Sequence, residues 1–310
     1  MSHIMRVVTS GSAYLDIDAF ACCIAYAELL NHQGINARAV SSAPLNFSIP
    51  NTLLDWPSAL DNYLPGPDDE FVLVDVCDPH HFDPLVVLDQ VVEVIDHHPG
   101  FETYWAQTLG TAADIRPIGA AATLVFLRWE AAGLLPMISQ HSAALLATAI
   151  LDNTLYFTGQ LTTPQDRRAY ECLARCARLA ANWPEQYFAE CQAAIESDLI
   201  AALAADLKRM TVTDQLPHLF AQMTVWDAGA LIRRHRPAIA RWLAGQGDDW
   251  MLNAISIRES KGYWLAEAVA SQQKLSQLLS IEWQEGIAVI EPSLQRKDLL
   301  KLALSASSFQ

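Results

Sequence analysis

Asp96, His97 and His98 sit together where the β-branched apolar run Val91 to Ile95 gives way to the turn-forming pair Pro99-Gly100. One carboxylate beside two imidazoles is a donor set for a divalent metal ion. Further acids occupy comparable places: Asp16 and Asp18 before an apolar helix, Asp75 after Phe71-Val72-Leu73-Val74, and Asp152 after an apolar run ending at Leu151. Mixed oxygen and imidazole ligands of this kind suit two divalent cations, with Mn²⁺ the natural occupant and Mg²⁺ an alternative. Two such ions about 4 Å apart can hold a bridging hydroxide and polarise a phosphoryl group. Each group also has an ordinary structural reading. The Asp96 triplet can simply close a strand in a polar turn. Asp18 can cap a helix, which leaves Asp16 unaccounted for. A second histidine pair, in Asp78-Pro79-His80-His81, lies beyond its strand end in a Pro-bearing turn and reads as surface.

The elements that must position these groups alternate. Met5 to Thr9 reads as a strand, residues 10–18 as a loop, and Ala19 to Leu30 as a buried helix. A strand follows around Ala37 to Val40, then an irregular segment over 44–67, then the strands ending at Asp75 and Asp96. Residues 116–123 lead into a helix to about Ala132, and Ser139 to Leu151 forms another. Thr163 as cap and Pro164 in the first turn start a helix expected to run to about Ala181. This rhythm predicts an α/β fold whose N-terminal sheet is doubly wound and mostly parallel, with functional groups at the carboxyl ends of its strands. From about residue 190 the rhythm changes to a smaller α/β unit: a helix over 190–207, strands at 219–225 and 251–257, a helix at 228–243, and later short strands.

With 310 residues and a hydrophobic share of 52%, the chain can fill two domains. Apolar runs fall short of the roughly 20 residues that cross a bilayer, and the N-terminus does not read as a signal peptide, so a soluble, cytoplasmic protein is expected. The formal charge of −15 argues against nucleic-acid duplexes and anionic membranes as partners. It leaves room for a small anionic substrate, since metal ions or a few bases can reverse the local sign. The six cysteines show no zinc-type spacing, and Cys172 and Cys176 read as buried free thiols one turn apart.

In order and spacing, these segments resemble the DHH phosphoesterases, in the branch with a DHHA2-type C-terminal domain that contains family II inorganic pyrophosphatases, exopolyphosphatases and prune. Asp16-Ile17-Asp18 resembles motif I, Leu73-Val74-Asp75 motif II, and Asp96-His97-His98 the motif that names the family. Ile118 to Thr123 resembles the small-residue segment after it, and Leu151-Asp152-Asn153-Thr154 with Thr163 to Asp166 resembles motif IV and its follower. The resemblance implies a DHH catalytic, metal-binding domain over 1–190, a DHHA2-like substrate-binding domain over 191–310, and an active site in the cleft between them. It implies that Asp16, Asp75 and Asp152 hold one metal, that Asp18, Asp75 and His97 hold the second, and that Asp75 bridges. His98 would lie near the leaving-group oxygen or the substrate phosphate. Lys208, in Asp206-Leu207-Lys208, and Arg296 and Lys297, in Gln295-Arg296-Lys297, would bind phosphate. The implied reaction is hydrolysis of phosphoanhydride bonds in pyrophosphate or short polyphosphate by direct attack of a metal-bridging hydroxide, with a homodimer as a possible assembly.

The chain departs from the family pattern at several positions. Ser12 stands where pyrophosphatases place a histidine ligand and the exopolyphosphatase and prune relatives an asparagine; Asp75-Val76-Cys77 replaces Asp-His-Asn; Gln295 replaces a serine. Two alternatives follow. One is a phosphodiesterase of short oligonucleotides or cyclic dinucleotides, although such relatives carry a Gly-Gly-Gly-His signature that is absent here. The other is a non-catalytic regulatory protein whose metal site is weakened at Ser12.

Overall fold

The computed structural model describes residues 4–55 and 60–307. Residues 56–59, part of the irregular segment expected over 44–67, lie outside the described residues. The chain divides into two compact units, Met1–Pro184 and Glu185–Gln310.

In the first unit the elements run β1 (Arg6–Thr9), α1 (Ile17–His32), β2 (Ala37–Ala39), α2 (Asn51–Leu54), β3 (Glu70–Val74), β4 (Val91–Asp96), α3 (Glu102–Leu109), β5 (Ala113–Ile115), α4 (Ala121–Ala131), α5 (Gln140–Asn153) and α6 (Pro164–Ala177). The sheet order is β2-β1-β3-β4-β5, parallel throughout. Val7, Val8, Phe71, Leu73, Val94 and Ile95 are fully buried, as strands covered on both faces require. On one face Trp105 of α3 joins Val7, Phe71, Leu73 and Val94; intervening residues such as Val8 and Val72 point to the other. Helix α1 packs on α4 and α5 and is apolar on nearly every side. The chain leaves β1 toward β2 and returns across it to β3, so the order reverses at the β1/β3 boundary. In open α/β sheets such a switch opens a crevice beyond the carboxyl ends of the strands, where ligands bind.

The second unit contains α7 (Trp183–Ser197), which starts at the boundary, then α8 (Leu199–Ala205), β6 (Lys208–Arg209), β7 (Leu219–Val225), α9 (Ala228–Ala244), β8 (Trp250–Ser256), β9 (Lys261–Leu265), α10 (Val269–Leu278), β10 (Ile287–Ile290) and α11 (Arg296–Ser307). Its sheet runs β10-β9-β8-β7-β6, with β7 and β8 parallel and the other pairs antiparallel. Phe220, Met251, Trp264, Leu275 and Leu299 form its core.

Several expectations are corrected. The helix expected over 190–207 is two helices, broken at Asp198, whose carboxylate caps α8 by accepting from the Ala201 amide at 3.2 Å. Helix α6 stops at Ala177 because Arg178 turns left-handed, with φ of 54°. Cys176 is exposed rather than buried, and all six cysteines are free. The His80-His81 pair forms a short exposed 3-10 turn capped by Asp78, as expected of surface. No helix among the described residues is long and apolar enough to cross a membrane.

Candidate metal centre

β3 and β4 lie side by side and deliver their acids to one place. Asp75 directly follows β3, and its amide extends the ladder by donating to the Ile95 carbonyl at 2.9 Å. Its φ of 57° is left-handed, a strained conformation for a residue with a Cβ. Asp96 ends β4 fully buried. One of its oxygens accepts from the His97 amide at 2.7 Å, the His98 amide at 3.2 Å and His98 Nδ1 at 2.8 Å, which shapes the turn. His97 Nδ1 lies 3.0 Å from the Ile118 carbonyl. A carbonyl only accepts, so Nδ1 carries a proton, and in the neutral ring the Nε2 lone pair faces Asp75 and Asp18. That nitrogen lies 3.3 Å from Asp75 Oδ1 and 3.9 Å from Asp18 Oδ2. Ligand atoms of Asp75, Asp96, His97 and His98 all fall within 4.8 Å of one another.

Asp16 and Asp18 exchange the roles the sequence suggested. Asp16, not Asp18, caps α1, with Oδ1 accepting from the Ala19 amide at 3.0 Å. Asp18 lies one turn inside, fully buried; its oxygens accept from the Ala121 and Ala122 amides, each at 2.8 Å, and from the Cys22 thiol at 3.5 Å. The first amides of α4 thus hold this carboxylate, as helix N-termini hold anions.

The electrostatics describe an unsatisfied nest of acids. Burial pushes Asp18 up to about 6, with neighbouring Asp16 adding to the rise and His97 opposing it. Asp75 is raised well above the carboxylate range by burial, then by Asp18 and Asp16. Asp96 goes the other way: burial works to raise it, but the hydrogen bond and charge of His98 outweigh that and lower it. For His98 burial works to lower the imidazole, yet its bond to Asp96 and the charge of Asp75 raise it. Asp75 Oδ1 is buried and accepts no hydrogen bond, although His97 Nε2 is close; Asp96 Oδ2 is likewise unbonded. Buried acids in mutual repulsion, an orphaned oxygen and an imidazole lone pair fit a divalent cation.

Of the other expected residues, Asp152 lies half-buried in the last turn of α5, outside the four-residue cluster. Ser12 directs both its amide, at 2.8 Å, and its hydroxyl, at 3.2 Å, to the His81 carbonyl. In the second unit Lys208 is exposed on β6, in register with Phe220 of β7. The Arg296 guanidinium reaches the Asp206 carbonyl at 2.8 Å, the Phe220 carbonyl at 3.0 Å and Asp206 Oδ1 at 2.5 Å. Burial raises the Asp206 carboxyl, against the pull of Arg296 and Lys208. Lys297 is exposed in the first turn of α11. The ligand set implied by the family resemblance omits Asp96, whereas the residue types alone group it with His97 and His98, as the structure does.

No protein-family model matches the chain. It is 24% identical, over 94% of its own length and 95% of the relative's, to a protein of Exiguobacterium sp. named a probable manganese-dependent inorganic pyrophosphatase. A Deinococcus radiodurans protein of the same name is 31% identical over 63% of this chain, and the match spans only 60% of that relative. Among solved structures, a Methanococcus jannaschii protein provisionally assigned to the family II inorganic pyrophosphatases superposes with a TM-score of 0.65, covering 97% of this chain and 99% of that one at 16% identity. At that identity the likeness speaks for the fold alone, the two-sheet α/β fold that this chain shares with that structure.

Proposed function

We propose that the chain is a divalent-metal-dependent hydrolase of phosphoanhydride bonds, acting on pyrophosphate or short polyphosphate, with residues 1–190 as its catalytic domain and 191–310 as its substrate-binding domain. The observation that carries this reading is the convergence of Asp75, Asp18 and His97 Nε2 at a sheet switch point, with one buried carboxylate oxygen left without a hydrogen bond. The names of the relatives put Mn²⁺ first as the cation.

In this reading Asp16, Asp75 and Asp152 hold one cation, and Asp18, Asp75 and His97 the other. Bound cations would supply Lewis acidity to water and to phosphoryl oxygens. The protein's part is positioning and charge. The amides of Ala121 and Ala122 fix Asp18, and the Ile118 carbonyl fixes the His97 tautomer. His98, more than half exposed and raised by Asp96, stands ready to pass a proton to a leaving phosphate oxygen. Lys208, Arg296 and Lys297 form the basic set that answers the anion.

The test is phosphate release from pyrophosphate and from tripolyphosphate by purified protein with Mn²⁺. Asp75→Ala should lower the rate by at least about a thousandfold, because it removes the shared ligand and leaves the other acids repelling one another. Activity on dinucleotides without release from either phosphate would make the protein a phosphodiesterase. Silence on every substrate at saturating Mn²⁺ would leave a regulatory protein whose Ser12 supplies no imidazole.

A further inference from the structure

Helix α5 ends just past Asp152 on a backbone that side chains rarely adopt. Leu155, Tyr156 and Phe157 are all left-handed, with φ of 50°, 54° and 65°. Glycine enters that region freely, but a residue with a Cβ crowds its own carbonyl there, so three in succession must be enforced from outside. The run closes a double hydrogen bond on the helix end. The Leu155 amide donates to the Asp152 carbonyl at 3.0 Å and the Tyr156 amide to the Leu151 carbonyl at 2.8 Å. Such a pair usually rests on a glycine; here Leu155 takes that place. Thr154 reinforces it, its hydroxyl donating to the Ile150 carbonyl at 2.6 Å and accepting from the Phe157 amide at 3.1 Å.

The far end of the run is held by α6. Arg167 Nη2 donates to the Phe157 carbonyl at 2.9 Å, and the guanidinium lies 4.8 Å over the Phe157 ring. Phe157 also meets Tyr170 edge-on, with centroids 5.3 Å apart. The start of α6 is itself locked, by the Thr163–Asp166 capping box and by the grip of Asp166 on Gly119 and Thr123. One exposed side chain thus ties a strained run to a fixed helix. Without the tie, residues 155–157 would relax toward right-handed or extended backbone. The bonds to the Leu151 and Asp152 carbonyls would open, and the last turn of α5 would lose its fixed end.

We propose that Arg167 is a positioning residue for the cation site: by clamping the left-handed run it fixes the last turn of α5 and, with it, the Asp152 carboxylate. This rests on the proposed role of Asp152 as a cation ligand and adds a residue that acts on it through the backbone. Charge alone gives the opposite sign. Arg167 is a cation, so by Coulomb interaction its removal should leave Mn²⁺ binding unchanged or tighten it. Weaker binding on its removal is the mark of geometry.

The experiment titrates the metal-free full chain with Mn²⁺ and reads the free ion by electron paramagnetic resonance. Arg167→Met removes the donor and the charge but keeps an apolar stem. It should raise one Mn²⁺ dissociation constant by about tenfold and leave any other within about twofold. Asp152→Asn should weaken the same ion, and adding Arg167→Met to it should change nothing further, as expected of two residues acting through one ligand. Arg167→Lys, with a single donor, should recover part of the loss. Leu155→Gly in the Arg167→Met chain should do likewise, because glycine holds the turn without the clamp. Arg168→Met, which breaks the neighbouring surface pair with Glu130, should leave every constant alone. Arg167 is exposed, so its variants should fold. Unchanged or tighter binding in Arg167→Met overturns the proposal, as does an equal loss at every ion, which is general loosening. Mn²⁺ uptake that is nil, or indifferent to Asp152→Asn, overturns it too. The expected Arg167 effect in a chain that releases no phosphate from pyrophosphate sinks the catalytic reading and spares this one. An active chain whose Mn²⁺ affinities ignore Arg167→Met does the reverse.

Discussion

Asp18 and Asp75 are the residues at which the first unit carries a burden that a cation would relieve. Asp18 keeps its proton up to about pH 6, against 3.8 in a free side chain, chiefly through burial. The folded chain therefore binds that proton more tightly than the unfolded chain does. The sign follows: stability from this group is complete below the unfolded value and is lost as the pH rises from about 4 through 6. Asp75 acts in the same direction. Acids with lowered values, such as Asp69 and Asp96, lose their contribution only as the pH falls through the carboxylate range and below, so they do not mask the effect from pH 5 to 7; the raised groups His98 and Asp206 add to the fall in the same direction. In chelator, the melting temperature should fall from pH 5 to pH 7, with roughly 1 kcal/mol of the Asp18 contribution lost across that window. Mn²⁺ should restore it, and more at pH 7 than at pH 5. Asp18→Asn should flatten the slope in chelator. A melting temperature that climbs steadily over this range without metal would contradict the assignment of these acids.

At the scale of elements, the site depends on how closely three helices approach the loop after β5. Asp18 ties α1 to the first amides of α4. Asp166, in the capping box that starts α6, accepts from the Gly119 amide at 3.2 Å and from the Thr123 hydroxyl at 2.6 Å. A Cβ on Gly119 would stand 2.6 Å from Thr154 Cγ2 and 2.8 Å from Asp166 Oδ2, both on buried side chains that hydrogen bonds hold in place. Gly119→Ala should therefore cost about 1–3 kcal/mol, read by denaturant melts, since neither neighbour can retreat. Unchanged stability would mean that this junction is looser than drawn.

The same elements show what the chain disclosed in advance. Strands β1, β3 and β4 were legible because burial on both faces forces continuous β-branched runs, and their terminal acids followed. The exchange of Asp16 and Asp18 was not, because a cap and a buried acid one turn later look alike until the partner helix is placed. Helix α3 buries only Trp105, and β5 has three residues, all half-buried, so neither leaves a periodic trace. The Asp206–Arg296 pair spans 90 positions, beyond the reach of any local pattern.

For the whole molecule, a charge of −15 is a standing repulsion toward the anion it is proposed to cleave. In the proposed reading two devices would reverse it locally: cations drawn into the acids of the first unit, and the bases Lys208, Arg296 and Lys297 of the second. The two devices sit in separate compact units, and that separation can be measured. All the proposed cation ligands belong to Met1–Pro184, so Mn²⁺ at about a hundredfold over Kd should add roughly 2.7 kcal/mol to openings that break the site. Hydrogen exchange should slow in α1, β3 and β4, whose ends carry Asp18, Asp75 and His97, and stay unchanged in β7 and β8. Protection that appeared in the second sheet and spared β3 and β4 would place the cations elsewhere, and the argument from Asp75, Asp18 and His97 would go with them.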